Sequence, residues 1–153
     1  MNIPNLVERQ KLFEGFKPLP YKCTEDIWTV GYGSTVLYGE RVTEFTPTLS
    51  RPQAETALKA HLLDAFWSCK QIYGLHWHLL TGTQQEVLVH MAYQLGRNGL
   101  LGFKNMNKAI FSEDITEWCA EMQDSRWWRR TPRPATACYN AIVHGDWQGE
   151  WQL

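Results

Sequence analysis

Glu14, Cys23 and Thr29 lie near the N-terminus, eight residues separating the first pair and five the second, within EGFKPLPYKCTEDIWTVGYG. The pattern before Gly15 predicts a helix that ends at Glu14. The partial negative charge of a helix C-terminus opposes ionisation of a carboxyl group placed there. A carboxylic acid kept protonated near neutral pH can donate to a leaving oxygen, which is the work of a general acid. A helix-end glutamate is by itself a weak signal, because most are solvated. The elements around it decide what it can do.

Asn2 as N-cap, Pro4 in the first turn and Ile3, Leu6, Val7 and Phe13 on one face predict a helix from Ile3 to Glu14, stopped by Gly15. From Phe16 to Tyr38, Pro18, Pro20, Gly31 and Gly33, with Gly39 just beyond, punctuate short β-prone pieces, Ile27 to Val30 being the clearest. They predict a small antiparallel sheet, as a hairpin or three strands. Ser50 caps a helix to about Ile72, with Ala57, Leu58, His61, Leu62, Ala65 and Phe66 at helical spacing. Thr83-Gln84-Gln85-Glu86 reads as a capping box that opens a helix from Gln84 to Leu95, apolar nearly all round and therefore central to a core. Ser112 with Ile115, Trp118, Cys119 and Met122 gives another helix, and Thr131-Pro132 opens a last one that Gly145 closes. The expected class is α+β and mostly helical, in one domain over 1–153. A small lobe over about 14–50 would join a linking helix at about 51–72. A helical lobe would take about 73–153 together with the N-terminal helix 3–14.

Composition narrows the classes. The chain has 153 residues, 15 basic and 16 acidic side chains, a formal charge of -1 and 44% hydrophobic residues. This argues against disorder and against a surface wholly given to nucleic acid. Eight Trp are many for this length; Trp fills cores, and its faces also stack on sugars. No secretory signal is readable at Met1 to Val7, and no stretch suits a membrane span. The four cysteines form no CxxC pair, predicting reduced thiols in a protein made in a cytoplasm. His76-Trp77-His78 lacks further ligands at metal spacing, and Gly31-Tyr32-Gly33 lacks the third glycine of a dinucleotide fingerprint, so no metal or cofactor is expected. Four Arg and two Trp between Arg126 and Arg133 suit an anionic cell envelope or a solvated face better than nucleic acid.

The N-terminal motif resembles the catalytic signature of phage lysozymes of glycoside hydrolase family 24, the T-even type. Glu14, Gly15, Tyr21, Cys23, Thr24, Thr29, Val30, Gly31 and Gly33 all fit it. HMAYQLGRNGLLGFKN, from His90, resembles the family's central helix, and SRWWRRTP with HGDW resembles its C-terminal segment. The resemblance implies a lysozyme-like two-lobed fold and a muramidase that cleaves peptidoglycan glycan strands, with inversion at the anomeric carbon. Glu14 would protonate the glycosidic oxygen. Cys23 stands where most relatives carry an Asp that orients the attacking water, and Thr29 would help to hold that water. A thiol, with a reference pKa of about 8.5, is a poorer acceptor than a carboxylate at neutral pH. Glu25 and Asp26 are therefore alternatives, and Cys23 as a buried filler is another.

Tyr93 and Gln94 align with an aromatic residue and a Gln that line the cleft in relatives, while Tyr32 and Thr35 follow the catalytic hairpin at its mouth. Met106 and Glu121 replace residues that face the glycan. The family's arginine opposite the acid aligns on Pro134, leaving Arg130 or Arg133 as substitutes. The implied biology is a monomeric endolysin without membrane insertion, held in the host bacterial cytoplasm until a holin opens the way to the periplasm and wall. A lytic transglycosylase and a catalytically silent glycan-binding protein are the competing readings.

Overall fold

The computed structural model describes residues 1–153 and is mostly helical, with two short antiparallel ribbons. The chain divides into two compact units, Val7–Leu63 and Met1–Leu6 with Asp64–Leu153. No helix is long and apolar enough to cross a membrane.

The smaller unit contains most of α1 (Ile3–Glu14), the ribbons β1 (Lys17–Lys22) with β2 (Trp28–Gly31) and β3 (Val36–Leu37) with β4 (Glu40–Arg41), and the first half of α2 (Arg51–Tyr73). Asn2 Oδ1 accepts from Asn5 N–H at 3.1 Å, satisfying an orphan donor at the start of α1. Instead of one sheet, the structure has two separate ribbons. In the first, Tyr21 opposes Thr29 and Lys22 opposes Trp28, with the register disturbed between Lys17 and Tyr21. Pro18 and Pro20 fall in that interval and have no N–H to give a ladder. In the second, Tyr38 and Gly39 both have positive φ, as a tight two-residue hairpin demands. Ser50 Oγ accepts from Gln53 N–H at 3.3 Å and Gln53 Oε1 accepts from Ser50 N–H at 2.9 Å, a reciprocal cap for α2.

In the larger unit, α3 (Gly82–Leu101) buries Glu86 through Ala92 without a gap. That is the expected all-round burial of a central helix. Its cap lies two residues earlier than the sequence suggested. Thr81 Oγ1 accepts from Gln84 N–H, and Gln84 Oε1 accepts from Thr81 N–H. Two overlapping Thr-x-x-Gln/Glu boxes compete here, and Glu86 is engaged elsewhere. Its buried carboxylate accepts from Asn2 N–H at 2.8 Å and from Trp147 Nε1 at 2.9 Å. Gly96, with φ 70 and ψ 172, breaks the helix after Leu95, where the apolar pattern predicted an end.

After α3 come α4 (Lys104–Phe111), α5 (Ile115–Gln123), α6 (Arg126–Arg130) and α7 (Pro132–His144), of which α7 packs on both α3 and α5. Asp114 caps α5 by accepting from Glu117 N–H at 2.9 Å, so the helix begins after Ser112. Gly145, at φ 76, closes α7 as anticipated. Trp77, Trp118, Trp127, Trp147 and Trp151 are all buried, so the tryptophan excess is largely core. Trp77 sits inward on a 3-10 helix, Gly74–Leu79.

Candidate active site

Gly15, at φ 68, donates its N–H to Lys11 C=O at 2.9 Å and turns the chain away from the axis of α1. This leaves Glu14 as the last helical residue, half-buried. Its Oε1 accepts from Gln10 Nε2 at 2.8 Å, one helical turn back. Its Oε2 lies against Gly33, where a Cβ would stand 2.5 Å from that oxygen. Gly33 also has φ +79, so the position suits glycine on two counts. Burial raises the Glu14 carboxyl from 4.5 to about 7, opposed by the Gln10 hydrogen bond. Enclosure, rather than the helix end, is the larger cause.

Cys23 and Thr29 are fixed by one turn. The Ile27 carbonyl accepts from Cys23 N–H at 3.0 Å and from Thr29 Oγ1 at 2.9 Å. Asp26 N–H donates to Cys23 C=O at 2.9 Å, closing the turn with Asp26 itself at φ 60. Thr29 is buried, and with its hydrogen directed to Ile27 its oxygen keeps lone pairs that could accept from water. Cys23 is half-exposed, which does not suit a buried filler. Tyr21, opposite Thr29, has its hydroxyl raised by burial and then by the nearness of Glu14 and Cys23. The structure thus gathers Glu14, Cys23 and Thr29 about Tyr21. The alternative carboxylates are exposed, and Asp26 pairs with Lys22 at 3.1 Å.

The expected substrate contacts fare unevenly. Tyr32 is 6% exposed, a correction to its expected place at a cleft mouth. Its ring lies 5.3 Å from Phe16 and its hydroxyl accepts from Arg51 Nη1 at 3.5 Å, because the glycine-turned hairpin folds it inward. Thr35 is exposed on the same hairpin. Tyr93 and Gln94 belong to the larger unit, half-buried, just before the break at Gly96. Gln94 Oε1 accepts from Trp127 Nε1 at 2.6 Å, which leaves the amide NH₂ for other partners. Met106 is fully buried, so it packs rather than faces a glycan. Arg133 pairs with Glu150 at 3.3 Å and lies 4.7 Å over the Trp151 ring, engaged near the chain's end.

Two contributors escaped the sequence reading. Tyr21 was visible only as a motif position. Gln10 was not singled out, although its spacing of four from Glu14 is the signal that finds it.

A model of the phage lysozyme family matches residues 11–137. A probable T4-type lysozyme from Dictyostelium discoideum is 23% identical over 163 residues, covering 94% of this chain and 96% of that protein. The matched span contains the acid, the turn that fixes Cys23 and Thr29, the glycine hairpin and the helical unit from Asp64 into the first half of α7. The chain belongs to the phage lysozyme family, and its activity is that of a lysozyme-type glycoside hydrolase.

Proposed function

We propose that the protein is an endolysin that hydrolyses the β-1,4 bond between N-acetylmuramic acid and N-acetylglucosamine in peptidoglycan, with inversion, to lyse a bacterial host. The observation that carries this reading is Glu14, enclosed beside Gly33 and held at about 7. At neutral pH much of it carries a proton for the leaving oxygen, and its conjugate base forms as the bond breaks. A water held at Cys23 and Thr29 attacks the anomeric carbon from the opposite face, which is the arrangement inversion requires. The half-exposed thiol and the inward-tied Thr29 hydroxyl support that placement. In the smaller unit Thr35 adds a glycan contact beyond the acid, with Tyr32 backing the hairpin from within; in the larger unit Tyr93 and Gln94 are assigned glycan contacts of their own. The enzyme acts as a monomer and reaches the wall from the host cytoplasm through a holin lesion.

Digestion of purified peptidoglycan tests the proposal. New reducing ends of muramic acid, released first as the α-anomer, are expected. Anhydromuramic ends would convert the reading to a lytic transglycosylase, which needs the acid but no positioned water. Binding without soluble product would leave a glycan-binding protein.

A further inference from the structure

We infer that Gln10 is a positioning residue for the acid: its side-chain amide fixes Oε1 of Glu14 as an acceptor and thereby assigns the transferable proton to Oε2, the oxygen lying over Gly33. The inference rests on the reading of Glu14 as general acid, and it adds which oxygen delivers the proton and what selects it.

Gln10 is fully buried, so its NH₂ needs a partner inside the protein. It finds one in Glu14 Oε1, at 2.8 Å. Both residues lie on α1 at a spacing of four, so the contact is made within one rigid element and does not depend on a distant loop. A neutral carboxyl group has one proton for two oxygens. The oxygen already receiving an N–H is the poorer place for it, since the proton would crowd the incoming hydrogen. Oε2 therefore carries it. On that side lies Gly33, and its missing Cβ leaves room where any other residue would press on the carboxyl group.

The amide also sets when the proton leaves. An N–H donor favours the carboxylate, and so works against the burial that favours the acid. Tyr21 on β1 is a titratable neighbour of Glu14, and Cys23, in the turn that follows, is itself a neighbour of Tyr21. Lys11, its neighbour on α1, is engaged by Glu8 and Glu55. A neutral amide thus sits where a permanent cation would hold the acid ionised.

The test uses the full chain with ¹³C-labelled glutamate, reading the Glu14 carboxyl titration beside the pH profile of kcat. Gln10→Met keeps the length and removes the donor. The Glu14 midpoint and the alkaline limb of kcat should both rise by about one pH unit. At pH 6, kcat should fall roughly tenfold with KM unchanged, because the carboxyl group is no longer fixed. Gln10→Glu, a second variant, places two carboxyls together and should move the midpoint further the same way. An unmoved midpoint, or a moved midpoint with an unmoved pH profile, in an enzyme that Glu14→Gln silences would overturn the inference alone. A Glu14→Gln enzyme that still cleaves peptidoglycan would overturn both the inference and the reading beneath it.

Discussion

The interiors of the two units differ in kind. Between Val7 and Leu63, eight apolar side chains are buried together with four polar ones: Arg9, Gln10, Thr29 and Ser34. The rest of the chain buries 25 apolar side chains, also with four polar ones. One polar group for every two apolar ones is a poor recipe for stability and a good one for chemistry, since buried polar groups fix geometry and shift proton affinity. In the smaller unit, positions are set by backbone turns at Gly15, Asp26, Gly31 and Gly33, all at positive φ. In the larger unit they are set by packing around α3. Substitutions in the first should change turnover more than folding, and substitutions in the second should do the reverse.

The largest effect is expected at Glu14. Glu14→Gln should lower lysis of permeabilised Gram-negative cells by about 10² to 10⁴. It should also stabilise the fold above neutrality. The carboxyl group sits near 7 in the native state against 4.5 when free, so the folded protein binds the proton more tightly than the unfolded chain. The stability it contributes is complete below about pH 4.5 and is lost as pH rises through about 7, by roughly 3 kcal/mol. Glutamine does not ionise. A melting temperature several degrees above wild type at pH 8, with no such gain at pH 4, is the expected signature. Residual activity within a few-fold of wild type would remove Glu14 from the mechanism.

Leu88→Ala is the counterpart in the larger unit. Leu88 is fully buried on α3, and the truncation should cost about 2–5 kcal/mol in denaturant unfolding while kcat per folded molecule stays unchanged. A catalytic defect of the same size as the stability loss would dissolve the contrast between the two interiors.

Gly33→Ala comes next. The new methyl would press on Glu14 Oε2 at a φ of +79, and a shift of about 1 Å in the acid can cost on the order of 10² in kcat. Unchanged kinetics would show that the carboxyl group need not lie where it does. The smallest effect is at Cys23. Cys23→Ala should lose roughly tenfold in turnover with little change in melting temperature, below the roughly 10² to 10⁴ that a full general base supplies, because the thiol only orients the water. Cys23→Asp should retain or raise activity, as the stronger water acceptor. A fully active Cys23→Ala enzyme would shift attention to Glu25 or Asp26.

The same contrast governs what could be read from sequence. The end of α1, and with it Glu14, was legible because Asn2 and Gly15 act on their own helix, and the Cys23 and Thr29 spacing was legible because one turn fixes it. The split into two ribbons was not, since Pro18 and Pro20 alter a register that periodicity cannot count. Short α4 and α6 were missed because their support is remote. Asn107 accepts from Tyr73 Oη at 2.7 Å across 34 residues, and Trp127 reaches Gln94 across 33. Tyr32 misled because an aromatic residue between two glycines offers no clue to which way the turn faces. Glu86 misled because its partners, Asn2 and Trp147, come from opposite ends of the sequence.

The distribution of sulfur supplies a reporter. Cys23 is half-exposed, whereas Cys69, Cys119 and Cys138 are buried and none is in a disulfide. Burial also pushes the Cys69 thiol up to about 12 and raises that of Cys119, so neither offers thiolate to a reagent while the protein is folded. A disulfide-exchange dye should therefore count one fast sulfur in the native protein and three more only as the helical unit opens. The fast sulfur reports on the turn beside the acid, and the slow ones time the opening of the core. A single absorbance trace then separates loss of the site from loss of the fold without any substrate present.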